Sequence, residues 1–196
     1  MTYPFIVFEG VDGAGKSTVS KLVADRLGAL HLESPINEFQ TIRKFVENNL
    51  PEKARFFYYL ASNFELSNYV RETRRIMPVV CARYFYSTLI GHASRQYLNI
   101  DDFSKTVPVA PSEFEAPDLT IFLSLNEDVQ RARLNARAAS ENSAKDQNCL
   151  DNKLYRDCLF ENYARIAKRE NWLMIDTTSM TIDAVVTTCM ERILSR

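Results

Sequence analysis

The chain has 196 residues, of which 46% are hydrophobic and 25% are charged, and its formal net charge is −1. This length suits one globular domain, spanning residues 1–196, and it is short for two. The nearly neutral charge gives no indication that a nucleic-acid polymer or a membrane surface is a partner. The sequence contains neither a membrane-spanning apolar run nor a basic-then-apolar leader, so we expect a cytoplasmic protein.

Strand-like and helix-like segments alternate along the chain. This alternation predicts a three-layer α/β/α fold with a five-stranded parallel sheet between two layers of helices. We predict strands at residues 5–9, 29–32, 78–82, 119–125 and 172–176. We predict helices at residues 16–27, 39–49, 51–76, 87–97, 127–139, 153–169 and 181–194.

Two stretches between these elements are predicted to be irregular. Residues 101–117 carry three prolines and are expected to form a connection. Residues 138–152 are polar and lie between two predicted helices. They form either a lid that covers a bound nucleotide or a solvated surface loop.

The first predicted strand runs directly into a glycine-rich segment, and residues 10–17 fit the pattern G-x-x-x-x-G-K-[ST]. Glycines in this pattern let the backbone curl so that its N–H groups point at a polyphosphate. A lysine then reaches the β- and γ-phosphates, and a hydroxyl binds Mg²⁺. The N-terminus of the following helix faces the anion. We therefore expect ATP and Mg²⁺ to bind here, with Ser17 as the metal ligand, through Gly10, Asp12, Gly13, Ala14, Gly15, Lys16, Ser17 and Thr18.

The cysteines and histidines show no spacing typical of a metal site or of a disulfide. We expect the cysteines to be unpaired packing residues and the histidines to be surface or packing residues. These residues are Cys81, Cys149, Cys158, Cys189, His31 and His92.

Three segments together resemble the thymidylate kinase family. Residues 8–18 read FEGVDGAGKST, which is similar to the family's opening motif FEG-x-DG-x-GKST. Residues 79–87, VVCARYFYS, resemble the family's strand that ends in D-R-Y-x-x-S. Residues 116–123, APDLTIFL, resemble its A-P-D-L-T strand. The resemblance extends over the whole chain and implies the P-loop fold of nucleoside monophosphate kinases.

The resemblance implies transfer of the γ-phosphoryl group of ATP to a nucleoside monophosphate in the presence of Mg²⁺. Such an acceptor phosphate is already a nucleophile, so catalysis consists of positioning and charge neutralisation. The family also usually forms homodimers through helices. The long predicted helix with Phe56, Phe57 and Tyr58 could supply that face.

Several site residues follow from the same resemblance. It implies that Arg83 and Arg43 bind the acceptor phosphate, that Asp12 holds its sugar, and that arginines at 131, 133 and 137 approach the transferring phosphate. The expected catalytic residues are Lys16, Arg83, Arg133 and Arg137. The expected substrate-binding residues are Asp12, Glu33, Arg43, Tyr59, Leu60, Asn63, Phe64, Arg83, Tyr84, Ser87 and Gly91.

The chain departs from the family's pattern at four places. Ala82 replaces the Asp of the D-R-Y motif, and Phe64 replaces the arginine that binds the thymine base. Gly91 stands where relatives carry an aromatic residue, and Lys145-Asp146 replaces an Asp-Arg pair in the lid. With Tyr59 and Leu60, Phe64 is expected to make a more apolar base pocket, so we expect an acceptor other than dTMP.

Two other functions fit the sequence. A deoxynucleoside kinase needs a carboxylate base, because a 5′-hydroxyl must lose a proton, and Glu33 is the candidate for that base. A non-catalytic nucleotide-binding homologue is the second alternative, for which Ala82 is the main support.

Overall fold

A parallel five-stranded sheet forms the centre of the computed structural model, which describes residues 2–141 and 151–195, with only the backbone of 137–141. The strands are β1 (Phe5–Gly10), β2 (Leu30–Glu33), β3 (Val79–Ala82), β4 (Leu119–Ser124) and β5 (Leu173–Asp176). Their order across the sheet is β2-β3-β1-β4-β5, and every pairing is parallel. The predicted α/β fold with five parallel strands is confirmed.

Eight α-helices are present in the described residues. They are α1 (Lys16–Leu27), α2 (Glu38–Asn49), α3 (Glu52–Thr73), α4 (Phe85–Arg95), α5 (Ile100–Thr106), α6 (Glu127–Glu141), α7 (Lys153–Arg169) and α8 (Ile182–Leu194). Helix α1 packs beside α8, whereas α4 packs against α3, α5 and α7. In the parts of the chain that the structure covers, no helix is both long enough and apolar enough to cross a membrane.

The prediction of an irregular connection at residues 101–117 is wrong for its first part, because α5 occupies residues 100–106. Asn99 caps this helix, since its side chain accepts a hydrogen bond of 2.8 Å from the N–H of Asp101. Ile100 and Phe103 are buried on one face. The prolines begin only at Pro108, beyond the end of the helix, and they obscured this short apolar period in the sequence.

Strand β1 holds the core together because it pairs with β3 on one side and β4 on the other. All six of its residues are buried. Strands β3 and β4 are distant from β1 in sequence. Separate crossover connections place their carboxyl ends beside the carboxyl end of β1. In open α/β sheets, ligands bind at the carboxyl edge beside such a strand.

The thiols behave as packing groups where the structure describes them. Cys81 and Cys189 are buried and free, and Cys158 is free and half-buried. Cys149 lies outside the described residues, as do Lys145-Asp146 and most of the predicted lid.

Gly10 is the position in β1 that tolerates no side chain. Its φ is +146°, and a Cβ added there would lie 2.3 Å from the carbonyl oxygen of Leu123 in β4. We predict that Gly10→Ala lowers the free energy of unfolding by about 3 kcal/mol, because strain and overpacking act together. Thermal unfolding of the variant measures this loss.

Gly28 is the matched control for that measurement. It also has a positive φ, +61°, but a Cβ there would meet no described atom within 4 Å. Gly28→Ala is therefore expected to cost only about 1 kcal/mol, from backbone strain alone. Equal losses in the two variants would contradict the steric explanation for Gly10.

Candidate active site

The phosphate loop lies between β1 and α1. Gly10, Gly13 and Gly15 all have positive φ, and Gly15 precedes the first turn of α1. The Lys16 side chain is buried and folds back over the loop, where its Nζ donates a hydrogen bond of 2.6 Å to the carbonyl of Val11. The loop thus has the conformation that its sequence predicts, with an ammonium group beside the N-terminus of a helix.

Helix α6 supports this loop from outside. Gln130 donates a hydrogen bond of 2.8 Å to the carbonyl of Asp12. Arg133 donates from Nη1 to the carbonyl of Gly13, at 3.2 Å, and from Nη2 to the carbonyl of Thr177, at 3.0 Å. Arg133, which was predicted to approach the transferring phosphate, therefore joins the loop to the residue that follows β5.

The other two arginines of α6 have no described contact with the phosphate loop. Arg131 forms an ion pair of 3.2 Å with Glu127 on the exposed side of the helix. The side chain of Arg137 lies outside the described residues. Thr18, Arg133 and Met180 border a depression of about 160 Å³ beside the loop, on the side of α8.

Arg83 follows the last residue of β3 and has a left-handed backbone, with a φ of +69°. Its N–H donates a hydrogen bond of 2.9 Å to the carbonyl of Phe8 in β1. Its guanidinium forms a close ion pair with Asp12 of the phosphate loop. Burial opposes the charge of Arg83, but the Asp12 carboxylate, together with Tyr163 and Glu9, raises the pKa of the guanidinium above its ordinary value. The strained backbone thus holds a permanent cation beside the phosphate loop.

Glu9 ties the end of β1 to the start of α4. Its buried carboxylate accepts a hydrogen bond of 3.1 Å from the N–H of Tyr84 and a short one from the hydroxyl of Ser87. The hydroxyl of Tyr163 in α7 lies 3.5 Å away. These bonds fix the first turn of α4 to β1. Arg83, the cation that the sequence predicts, is fixed to the same strand through its bond to Phe8.

A cleft extends from the phosphate loop along α4. Its walls come from four helices and from the ends of β1, β2 and β3. The residues that border it are Gly10, Val11, Asp12, Ser34, Arg43, Tyr59, Arg83, Ser87, Thr88, Gly91, His92, Arg95, Tyr155, Leu159 and Tyr163.

The structure brings several predicted substrate-binding residues together in this cleft, namely Asp12, Arg43, Tyr59, Arg83, Ser87 and Gly91. Arg43 is held by Glu47, whose Oε1 lies 3.1 Å from its Nε, and Tyr59 hydrogen-bonds the same carboxylate. Asn63 lies behind the wall. It donates a hydrogen bond of 2.7 Å to Thr88 and accepts one of 3.3 Å from Ser34.

Four other predicted substrate-binding residues do not border the cleft. Phe64 stacks on Phe114, with 4.5 Å between ring centroids, and Leu60 is a buried core residue. The ring of Tyr84 packs edge-on against Phe5, so only its backbone serves the site. Glu33 lies beside Ala82 in the sheet register, but the cleft wall begins at the next residue. The expected apolar base pocket is therefore absent from the described cleft.

Sequence reasoning missed Arg95 and His92 of α4 and the residues that α7 adds to the cleft. Arg95 follows the predicted residues Ser87 and Gly91 at intervals of four and shares their face of α4. That spacing was visible in the sequence. His92, which was expected to be a surface or packing residue, is buried and also borders the cleft, as do Tyr155 and Tyr163 of α7.

A phosphate loop at the carboxyl edge of a five-stranded parallel sheet, with a cation-lined cleft beside it, defines a P-loop NTPase fold. Comparison with known proteins specifies the family. The family model for thymidylate kinase matches residues 8–188. The chain belongs to the thymidylate kinase family, and it is an ATP-dependent nucleotide kinase.

Individual relatives agree with this assignment. A probable thymidylate kinase from Methanocaldococcus jannaschii is 26% identical over 92% of this chain and 90% of its own length. A thymidylate kinase from Leptospira borgpetersenii is 29% identical over 95% of this chain and 91% of its own length. The solved structure of a thymidylate kinase from Candida albicans superimposes with a TM-score of 0.79 at 18% identity, and covers 99% of this chain and 92% of that one.

The buried carboxyl of Glu9 predicts a specific dependence of stability on pH. Burial raises the pKa of Glu9 above its ordinary value of 4.5, against the hydrogen bond from Ser87 and the charge of Arg83. Between the unfolded and folded pKa values the folded chain therefore holds a proton that the unfolded chain releases. In that window the Glu9 contribution to stability falls by about 1.4 kcal/mol per pH unit as the pH rises.

Urea unfolding of the wild type and of Glu9→Gln at several pH values above about 4.5 tests this dependence. The glutamine variant cannot titrate at this position, so the stability of the wild type is expected to fall relative to the variant as the pH rises. Parallel stability curves for the two proteins would contradict a raised pKa at Glu9.

Proposed function

We propose that this chain transfers the γ-phosphoryl group of ATP to the phosphate of a nucleoside 5′-monophosphate bound in the cleft along α4, and so forms the diphosphate. The observation that carries the proposal is the position of Arg83. Its guanidinium is fixed between the phosphate loop, through Asp12, and the cleft that it borders. A cation at that junction can neutralise charge on two facing phosphate groups.

The donor side is supplied by the phosphate loop. The backbone N–H groups around Gly13 and Gly15 and the ammonium of Lys16 would bind the β- and γ-phosphates. The Lys16 ammonium, which now donates to the carbonyl of Val11, exchanges that bond for a phosphate oxygen. Positioning and charge neutralisation of this kind supply most of the catalysis in phosphoryl transfer.

The residues present fit a Mg²⁺ ion that arrives with the triphosphate. Ser17 is exposed at the start of α1, and its hydroxyl is the oxygen ligand that the loop offers. No group of three or more His, Cys, Asp or Glu residues in the described chain could hold a metal by itself. Mg²⁺ retains several waters and is often held mainly by substrate phosphates, so a single hydroxyl suffices on this side. When bound, the ion would neutralise charge on the β- and γ-phosphates.

The deoxynucleoside kinase alternative needs a free carboxylate base at the acceptor hydroxyl. Glu33, its candidate, does not border the cleft. The carboxylates near the phosphate loop are engaged, Asp12 by Arg83 and Glu9 by Tyr84 and Ser87. A phosphate acceptor, which needs no base, suits this arrangement better.

The identity of the acceptor base is the finer part of the proposal. The relatives are named thymidylate kinases, so dTMP is the first acceptor to test. The changes at Phe64, Ala82 and Gly91 make an acceptor other than dTMP an equal part of the test. The Candida albicans enzyme, whose fold this chain shares, is described as having broad substrate specificity.

We also propose a cytoplasmic homodimer. Of the three aromatic residues expected at its interface, Phe56 and Tyr58 are buried in the monomer, and Phe57 is 46% exposed. Phe45 of α2, which is 61% exposed, offers a second apolar group for the same purpose. Sedimentation of the chain as a monomer at micromolar concentration would remove the dimer from the proposal.

Substitution of the two central cations tests the proposed reaction. ADP release from Mg·ATP is measured with a panel of ribo- and deoxynucleoside monophosphates and with the matching nucleosides. We predict turnover with at least one monophosphate, and a loss of about 10²- to 10³-fold in kcat/KM for Lys16→Ala and for Arg83→Gln. Both variants remove a cation that would face the phosphates, and thermal melts of each variant identify any loss caused by unfolding.

Arg75→Gln is the matched control, since Arg75 is 61% exposed and pairs only with Glu72 among the contacts described. It is expected to keep wild-type turnover. Turnover with nucleosides but not with monophosphates would overturn the proposed reaction. ATP binding without turnover on the whole panel would favour the non-catalytic alternative.

A further inference from the structure

Glu33 is the last residue of β2, and its side chain lies on the face of the sheet that α1 covers. Side chains alternate between the two faces of a strand, so Glu33 shares a face with His31. Nε2 of His31 lies 2.8 Å from Oγ of Ser20 in α1, which identifies that face. The alternation holds at Glu33 because the ladder to β3 continues beyond it, with a hydrogen bond of 3.2 Å from the N–H of Ser34 to the carbonyl of Ala82.

The contact between His31 and Ser20 sets the level of Glu33 relative to the phosphate loop. Helix α1 runs from the carboxyl end of β1 to the start of β2, so it is antiparallel to the strands. Two residues further along β2, about 6.6 Å, lead from His31 to Glu33. Three residues back along α1, about 4.5 Å, lead from Ser20 to Ser17 on the same side of the helix. Glu33 and Ser17 therefore lie at nearly the same level.

The electrostatics of His31 agree with this placement of the Glu33 carboxylate. Burial lowers the pKa of His31, and the negative charge of Glu33 opposes that shift more strongly than any other group does. The carboxylate is therefore close to the imidazole, on the α1 side of the strand. The same direction explains why Glu33 does not border the cleft, to which Glu9 and Ser87 belong on the opposite face of the sheet.

Glu33 differs from the other carboxylates near the phosphate loop in having no partner. It is half-buried, and it forms neither an ion pair nor a hydrogen bond with the described residues. Asp12, by contrast, pairs with Arg83, and Glu9 is bound by α4. Ala82, the neighbour of Glu33 on β3, has no polar atom in its side chain. A half-buried carboxylate without a cation is costly, so a partner that arrives with the ligand fits this position.

We propose that Glu33 positions the water shell of the Mg²⁺ that accompanies the triphosphate. Ser17 offers a single oxygen ligand, and Mg²⁺ keeps several waters in such sites. Those waters donate hydrogen bonds that need acceptors, and the Glu33 carboxylate at the level of Ser17 supplies them. Glu33 is thus a positioning residue that acts on the metal through water. The inference rests on the proposed function and adds this residue to its donor site.

Binding of adenylyl imidodiphosphate, a non-hydrolysable ATP analogue, tests this role without an acceptor and without turnover. Calorimetry gives its affinity in Mg²⁺ and in EDTA, and the ratio of the two affinities measures the contribution of the metal. Glu33→Gln is expected to reduce this ratio by about tenfold without weakening binding in EDTA. The double variant Glu33→Gln/Ala82→Asp is expected to recover the ratio, because it returns a carboxylate to the adjacent strand on the same face.

Asp25→Asn is the matched control. The charge of Asp25, like that of Glu33, raises the pKa of His31, but Asp25 is exposed and lies eight residues after Ser17, about 12 Å along α1. This variant should keep the ratio of the wild type.

An affinity ratio that Glu33→Gln leaves unchanged, or that Asp25→Asn reduces as much, would overturn this inference and leave the proposed function intact. Equal losses of affinity in Mg²⁺ and in EDTA would show a merely structural role for Glu33 and would overturn it as well. Absence of analogue binding in the wild type would instead contradict the donor side of the proposed function, and the inference with it. Thermal melts in EDTA identify any loss caused by unfolding.

Discussion

The junction between the end of β1 and the turn that follows β3 is the constraint on which the rest of the site depends. Three contacts form it: the N–H of Arg83 to the carbonyl of Phe8, the N–H of Tyr84 to Glu9, and the ion pair of Arg83 with Asp12. The first two are hydrogen bonds from a backbone whose φ is left-handed at Arg83. The three contacts fix the phosphate loop and α4 in one arrangement, so in the proposed reaction the donor and acceptor phosphates would face each other.

Three arginines of the cleft each form an ion pair with a carboxylate. Arg83 is paired with Asp12, Arg43 with Glu47, and Arg95 with Glu52. An unpaired cation in a half-buried cleft would be costly, and these carboxylates remove that cost before any substrate binds. In the proposed reaction a nucleotide would exchange these internal pairs for its own oxygens. Affinity in such a site depends on the difference between the two sets of contacts, which favours ligands that satisfy several arginines together.

Much of the fold was predictable because its causes are local. The runs of apolar residues in β1 and β4 and the glycine positions of the phosphate loop are visible in the sequence, and the structure agrees with them. Helix α5 was missed because its signal is only Ile100 and Phe103, next to a proline-rich segment. A short apolar period of this kind is decided by tertiary burial more than by propensity.

The candidate site was less predictable than the fold because it depends on which face each helix presents. Phe64 was assigned to the base pocket by resemblance, but it stacks on Phe114 in the core, a contact between segments distant in sequence. His92 and Arg95 border the cleft because of the rotation of α4, which the hydrogen bond from the Ser87 hydroxyl to Glu9 fixes. The resemblance identified the family, whereas the chain's own packing determines which side chains border the cleft.

The central claim is that Lys16 and Arg83 hold two phosphate groups in one continuous site. Its most direct measurement is the calorimetric affinity of an analogue in which adenosine is joined 5′ to 5′, through a polyphosphate chain, to the nucleoside of a monophosphate that the enzyme phosphorylates. The account predicts one molecule bound per chain, more tightly than ATP or the monophosphate alone, with most of the gain lost in Arg83→Gln. An affinity no better than that of ATP, unchanged by Arg83→Gln, would contradict it.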